Sequence, residues 1–187
     1  MAIINIKSKE RKPAALLFFM FFSIVSATIT GASVRDAVFL TQFDKSYLPV
    51  MFITIAVVMA GVIALYKKLT AGQDQIFVIS ISGALFSVSL FLLQSNLSGL
   101  FIPVLYIWME VVTILSIFQF WILAGEIFNA RQAKRIFTLL GAGGSFAGMG
   151  AGYGIKPFVS TFGSENLLFL TIFFIGISRH HQNPPKS

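Results

Sequence analysis

The chain has 187 residues, 56% of them hydrophobic and only 11% charged, with a mean hydropathy of +0.84. A water-soluble domain of this length needs more charge to cover its surface, so composition excludes that class and predicts an all-α integral membrane protein. With no cysteine there is no disulfide, thiolate metal site or cysteine nucleophile, and the net charge of +7 fits basic cytoplasmic loops better than a nucleic-acid partner.

In chain order, residues 1–13 form a basic N-terminal segment with Lys7, Lys9, Arg11 and Lys12. Residues 14–178 then hold apolar runs near the length of about 20 residues that crosses a bilayer. They predict six transmembrane helices, at 14–33 (continuing to about 40), 48–65, 76–93, 100–127, 136–154 and a shorter one at 166–178. Residues 179–187 form a polar tail. Eleven of the fourteen Lys and Arg lie in the N-terminus, after the second and fourth runs, and in the tail. Only Arg35, Lys45 and Lys156 lie on the other side, so both termini are expected in the cytoplasm. The basic start followed by an apolar run imitates a secretory signal, but the run exceeds signal length and further spans follow.

Polar residues inside the runs need a partner or a watery cavity. In the first span Ser23, Ser26, Thr30 and Ser33 share a narrow arc. They bond their own backbone or a neighbouring helix, or they form one wall of an aqueous pathway. Arg35 and Asp36 follow, roughly 32 Å along this helix, near the outer headgroups. There Arg35 either snorkels to the interface or turns inward and offers its guanidinium fork to an anionic substrate. In the fourth span Glu110 shares a face with Tyr106, four residues earlier, and Thr113, three later. A carboxylate there has to face the bundle interior, as a cavity group or in a structural hydrogen bond. Glu126, at the end of that span, is expected to pair with Arg131 or Lys134.

The stretch GAGGSFAGMGAGYG at 141–154 follows the basic run RQAKR and imitates a phosphate-binding loop. It lacks the GK[ST] ending of a Walker loop and no strand precedes it. Gly144, Gly148 and Gly152 recur every four residues, with Ala147 and Ala151 beside them. This spacing predicts a helix whose smooth face packs closely on another helix. Asn129, with Gln132 three residues on, reads as the cap that starts it. No enzyme is expected: His180 and His181 lie together in the polar tail without a third ligand. No catalytic residue, cofactor or metal is assigned.

Three segments carry a family resemblance: RDAVFLTQFDKSYLP at 35–49, ALYKKL at 64–69, and FWILAGEIFNARQAKRIFTLLGAGGSFAG at 120–148. They are similar to the ATP/ADP (nucleotide) transporter family, which belongs to the major-facilitator-like transporters. Bacterial relatives of unassigned substrate are the nearer match, since Phe52 in LPVMF stands where nucleotide exchangers carry a lysine. Glu110 lies near the family's span-four acidic residue, one position off in spacing from FW. The resemblance implies the N-terminal half of a two-bundle secondary transporter working by alternating access. Its substrate is a nucleotide or another small organic anion, and the first and fourth spans line the cavity. Arg35, Tyr106, Glu110 and Thr113 are the expected substrate-contacting residues. The partners implied are the lipid bilayer and a second six-span half or a second copy of the chain. The chain is expected to be a truncated or frame-shifted product, a half that assembles, or one with a divergent natural end. A bacterial inner membrane is the expected location, with a plastid envelope as the alternative. A non-transporting scaffold or inactive remnant is the alternative function.

Overall fold

The computed structural model describes residues 8–94, 99 and 101–162. The chain runs through α1 (Ser8–Gln42), a short 3-10 turn (Lys45–Tyr47), α2 (Leu48–Thr70), α3 (Gln75–Gln94), α4 (Phe101–Ile127) and α5 (Ala130–Phe162). The architecture is all-α, and four helices are long and apolar enough to cross a membrane: Glu10–Gln42, Lys45–Thr70, Gln75–Leu93 and Phe101–Ile127.

Six spans are therefore corrected to four among the described residues. The fifth expected span is a helix of 33 residues, but its glycines and serine dilute its apolar content below that of the other four. The sixth, at 166–178, lies outside the described residues, as does the polar tail. The first helix also starts earlier than the expected basic segment allows. Lys and Arg are good helix formers, and Glu10 in the first turn is anchored by α5, so residues 8–13 belong to α1.

Each break has a local cause. After α1, the Asp44 carboxylate accepts the Ser46 backbone N–H at 2.8 Å and starts the 3-10 turn. Pro49 then sits in the first turn of α2, where a missing N–H is harmless. Between α2 and α3, Gly72 adopts a φ of 75°, a left-handed conformation that glycine takes without strain. At α5 the expected cap is present in reciprocal form. The Gln132 N–H donates to Asn129 Oδ1 and the Asn129 N–H donates to Gln132 Oε1, both at 3.1 Å.

α4 is the hub. It packs on α1, α2 and α3, while α1 is also covered by α5. Two apolar cores result. One joins Val34, Phe39 and Ala27 of α1 to Met51, Ile55 and Met59 of α2, Phe86 and Leu90 of α3, and the first half of α4. The other joins Ala14, Leu17, Met20 and Ile24 of α1 to Ile79, Phe120, Leu123 and Ala124, and to Ile136 and Leu140 of α5. α2 buries only the stripe Met51, Ile55 and Met59, and exposes Val50, Phe52, Ile53 and Val57. Spacing of four residues explains the stripe, and the remaining apolar face suits hydrocarbon.

Of the expected packing glycines of α5, Gly144 lies tightly against α1, joined by its neighbour Gly143, while Gly148 and Gly152 do not. A Cβ on Gly143 would come within 3.0 Å of the Phe18 ring, and one on Gly144 within 2.9 Å of Phe21 Cε1. At Gly148 the nearest atom, Ile29 Cδ1, is 3.9 Å away, and at Gly152 nothing lies within 4 Å. Close approach is thus concentrated at Gly143 and Gly144, where bulky phenylalanines meet the backbone of α5.

Candidate functional site

The serine and threonine arc of α1 is an inner face. Ser23, Ser26 and Thr30 are all buried. The Thr30 hydroxyl donates to the Ser26 carbonyl at 2.8 Å and the Ser33 hydroxyl to the Ile29 carbonyl at 2.9 Å. These bonds satisfy the hydroxyls within the helix, which lets the face pack against its neighbours.

Beyond this arc, α1 and α4 bring three of the four expected substrate-contacting residues together. Arg35 turns inward; its side chain is only 11% exposed. Its Nη1 donates to Glu110 Oε2 across the helix interface, and its Nε donates to Asp36 Oδ1 at 3.0 Å. The guanidinium carbon lies 4.4 Å from the centre of the Tyr106 ring, a cation–π distance. Tyr106 is itself buried and is held by Phe39 of α1, with ring centres 4.8 Å apart. Thr113 is half-buried one turn from Glu110 on α4.

Helix geometry explains the cluster. Tyr106 and Glu110 are four residues apart, so both project from one side of α4 toward α1. Two carboxylates flank one guanidinium, with Glu110 still 30% exposed and Asp36 51% exposed. A guanidinium has five N–H donors in a rigid fork. Arg35 is thus held at a defined position while bonded to carboxylates that an anion would have to replace or join. Among the described residues no group of three His, Asp or Glu side chains gathers around a metal-sized point.

Further polar contacts join the helices. Near the start of α1, the buried Glu10 accepts Gln132 Nε2 at 2.9 Å and Arg135 Nη2 at 3.4 Å. Arg135 and Glu10 thus form the clamp that was expected of Glu126, which is exposed and in no ion pair among the described residues. Glu10 wins because α1 lies directly against α5. Between α3 and α4, the Ser82 hydroxyl donates to Gln119 Oε1 at 3.0 Å, and Trp108 Nε1 donates to Ser89 Oγ at 2.7 Å. Gln119 is 2% exposed, and its Nε2 has no hydrogen-bond partner among the described residues. A glutamine in the middle of an apolar run was a visible signal for this contact. The pairing of Glu10 with α5 had no such signal.

Four long apolar helices packed on one another define the class: a multi-span helical membrane protein. No protein-family model, curated protein or solved structure matches the chain.

Proposed function

We propose that the chain is part of a secondary transporter for a small organic anion, with a nucleotide as the substrate class that the family resemblance favours. The observation carrying this reading is the Arg35–Glu110–Tyr106 cluster between α1 and α4. A partly buried ionic pair is an expensive way to hold two membrane helices together, because apolar packing does so without desolvating charge. An arginine that can change carboxylate partners is suited to a phosphate or carboxylate substrate, which offers the same acceptor geometry. In this reading Arg35 binds the anion, Glu110 releases and recaptures Arg35, and Tyr106 holds the guanidinium in register. Thr113 adds a hydroxyl on the same wall.

Major-facilitator-like transport needs two bundles around one cavity, so the working unit pairs this bundle with a second six-span half or a second copy. The basic N-terminus, the basic end of α2 and the basic start of α5 support a cytoplasmic location for those segments in a bacterial inner membrane.

The experiment is uptake of labelled ATP, and of a panel of other anions, by cells producing the complete assembly, followed by a chase with excess ADP. Uptake reversed by ADP supports nucleotide exchange. Uptake of a different anion narrows the reading to that substrate. Absence of transport for every anion, with the protein present in the membrane, favours the alternative of a non-transporting scaffold.

A further inference from the structure

We propose that the transported anion moves together with one proton, carried by Glu110. The proposal rests on the anion-transport reading above and adds the coupling ion to it. Arg35 is shared by two carboxylates: its Nε donates to Asp36 Oδ1 at 3.0 Å and its Nη1 donates to Glu110 Oε2. The Tyr106 ring covers the guanidinium at 4.4 Å. Two carboxylates outnumber the one guanidinium they bind, so an anion joining them meets repulsion as well as attraction. It also needs a donor that Glu110 occupies. A Glu110 that gave up Arg35 while still ionised would be an unpaired charge inside a membrane span. A proton removes both difficulties. The neutral carboxyl no longer holds Arg35 as an ion pair, and the cluster loses one negative charge as the anion arrives. The proton comes from water on the side where the anion binds. It returns to water on the other side when the anion leaves and Glu110 recovers Arg35.

Exposure singles out Glu110 rather than Asp36. Asp36 is 51% exposed, so water supports its charge with or without Arg35. Glu110 is 30% exposed: buried enough to depend on its ion pair, and open enough for water to deliver a proton. The groups that act on Arg35 are Asp36, Glu110 and Tyr106. The other elements packed on α4 offer Glu110 little. α3 carries no charged residue. Lys67 and Lys68 stand in the last turn of α2, and Lys45, in the turn before that helix, is exposed. Arg131, Lys134 and Arg135 lie at the start of α5, next to the end of α4 that is remote from Glu110. Lys156, further along α5, is exposed and in no ion pair among the described residues.

The test is accumulation of labelled ATP or citrate in liposomes holding the complete assembly, at about pH 7.5 outside and about pH 8.5 inside, both above the phosphate pKa of about 6. The membrane voltage is clamped at zero. One proton per anion predicts roughly tenfold higher steady accumulation than at equal pH, the ratio that one pH unit supplies per proton. The weakly buffered external medium should also turn alkaline as the anion enters. Glu110→Gln, fixed in the uncharged form, should lose the tenfold ratio. The ratio is read within each variant, so a change in rate does not enter it. Wild-type accumulation that ignores the pH gradient, or a ratio that survives in Glu110→Gln, would overturn the coupling and leave the anion-transport reading standing. Absence of uptake for ATP and citrate alike, at any gradient, would overturn that reading and this inference with it.

Discussion

Replacing Glu110 with leucine isolates the energetic role of the α1–α4 cluster. Removing one partner of a fully buried ion pair costs about 3–5 kcal/mol, because the other charge stays behind. Here the loss is smaller. Arg35 keeps Asp36 at 3.0 Å and the Tyr106 ring, and Glu110 is 30% exposed and so partly solvated. We expect Glu110→Leu to destabilise by about 2 kcal/mol. Arg35→Leu should cost a similar amount, since it strands Glu110. With both replaced, no buried charge is stranded, so the double variant should be more stable than the sum of the two losses by at least about 1 kcal/mol. Reversible unfolding in mixed detergent micelles measures all four corners of this cycle. Losses that add to within about 0.3 kcal/mol would refute an energetic coupling between Arg35 and Glu110.

Other substitutions probe the remaining contacts. Gly144→Leu should destabilise the α1–α5 interface by about 1–3 kcal/mol, since Phe21 is pinned by stacking on Phe120 at 4.6 Å. Gly152→Leu, facing open space, should leave unfolding unchanged, and equal effects at the two sites would remove the basis for close packing at Gly144. Gln119→Leu should be neutral or stabilising by up to about 1 kcal/mol, because it removes a buried amide nitrogen that has no acceptor among the described residues. The Ser82 hydroxyl can turn its one donor to the Ile79 carbonyl at 3.1 Å, so a loss above about 1 kcal/mol in the same unfolding assay would show that Gln119 has a partner that matters. The Ser46 N–H holds the Asp44 carboxyl below the usual aspartate range. A depressed folded value means this contribution is present above the ordinary aspartate pKa of about 3.9 and is lost as pH falls through the lower folded value. Carboxyl NMR of Asp44 should therefore show a midpoint below that of an Asp44 carboxyl in a Ser46→Pro variant, which lacks the donor; identical midpoints would contradict the cap.

The helices were legible because apolar runs and basic punctuation are local signals. The cap of α5 was equally legible, since Asn129 and Gln132 are three residues apart. The face shared by Tyr106 and Glu110 followed from helix periodicity. Its partner did not: Arg35 is 75 positions away from Glu110, and only the packing of α1 on α4 selects between an inward and an interfacial arginine. The Glu10 clamp spans 125 positions to Arg135, whereas sequence proximity points to the nearer carboxylate, Glu126. The glycine face shows the same limit. Periodicity identified a small-residue helix, but which glycines are tightly packed depends on where Phe18 and Phe21 fall on α1.

The chain has no cysteine, so a single introduced thiol reports access without a background. Thr113→Cys, one turn from Glu110 on the half-buried face of α4, tests most directly whether this cluster borders an aqueous anion pathway. In membranes holding the complete assembly, a water-soluble, membrane-impermeant thiol reagent is expected to modify Cys at position 113, and ATP or another transported anion to slow the reaction. Modification of a Lys45→Cys control with none at position 113, with or without anion, would contradict such a pathway.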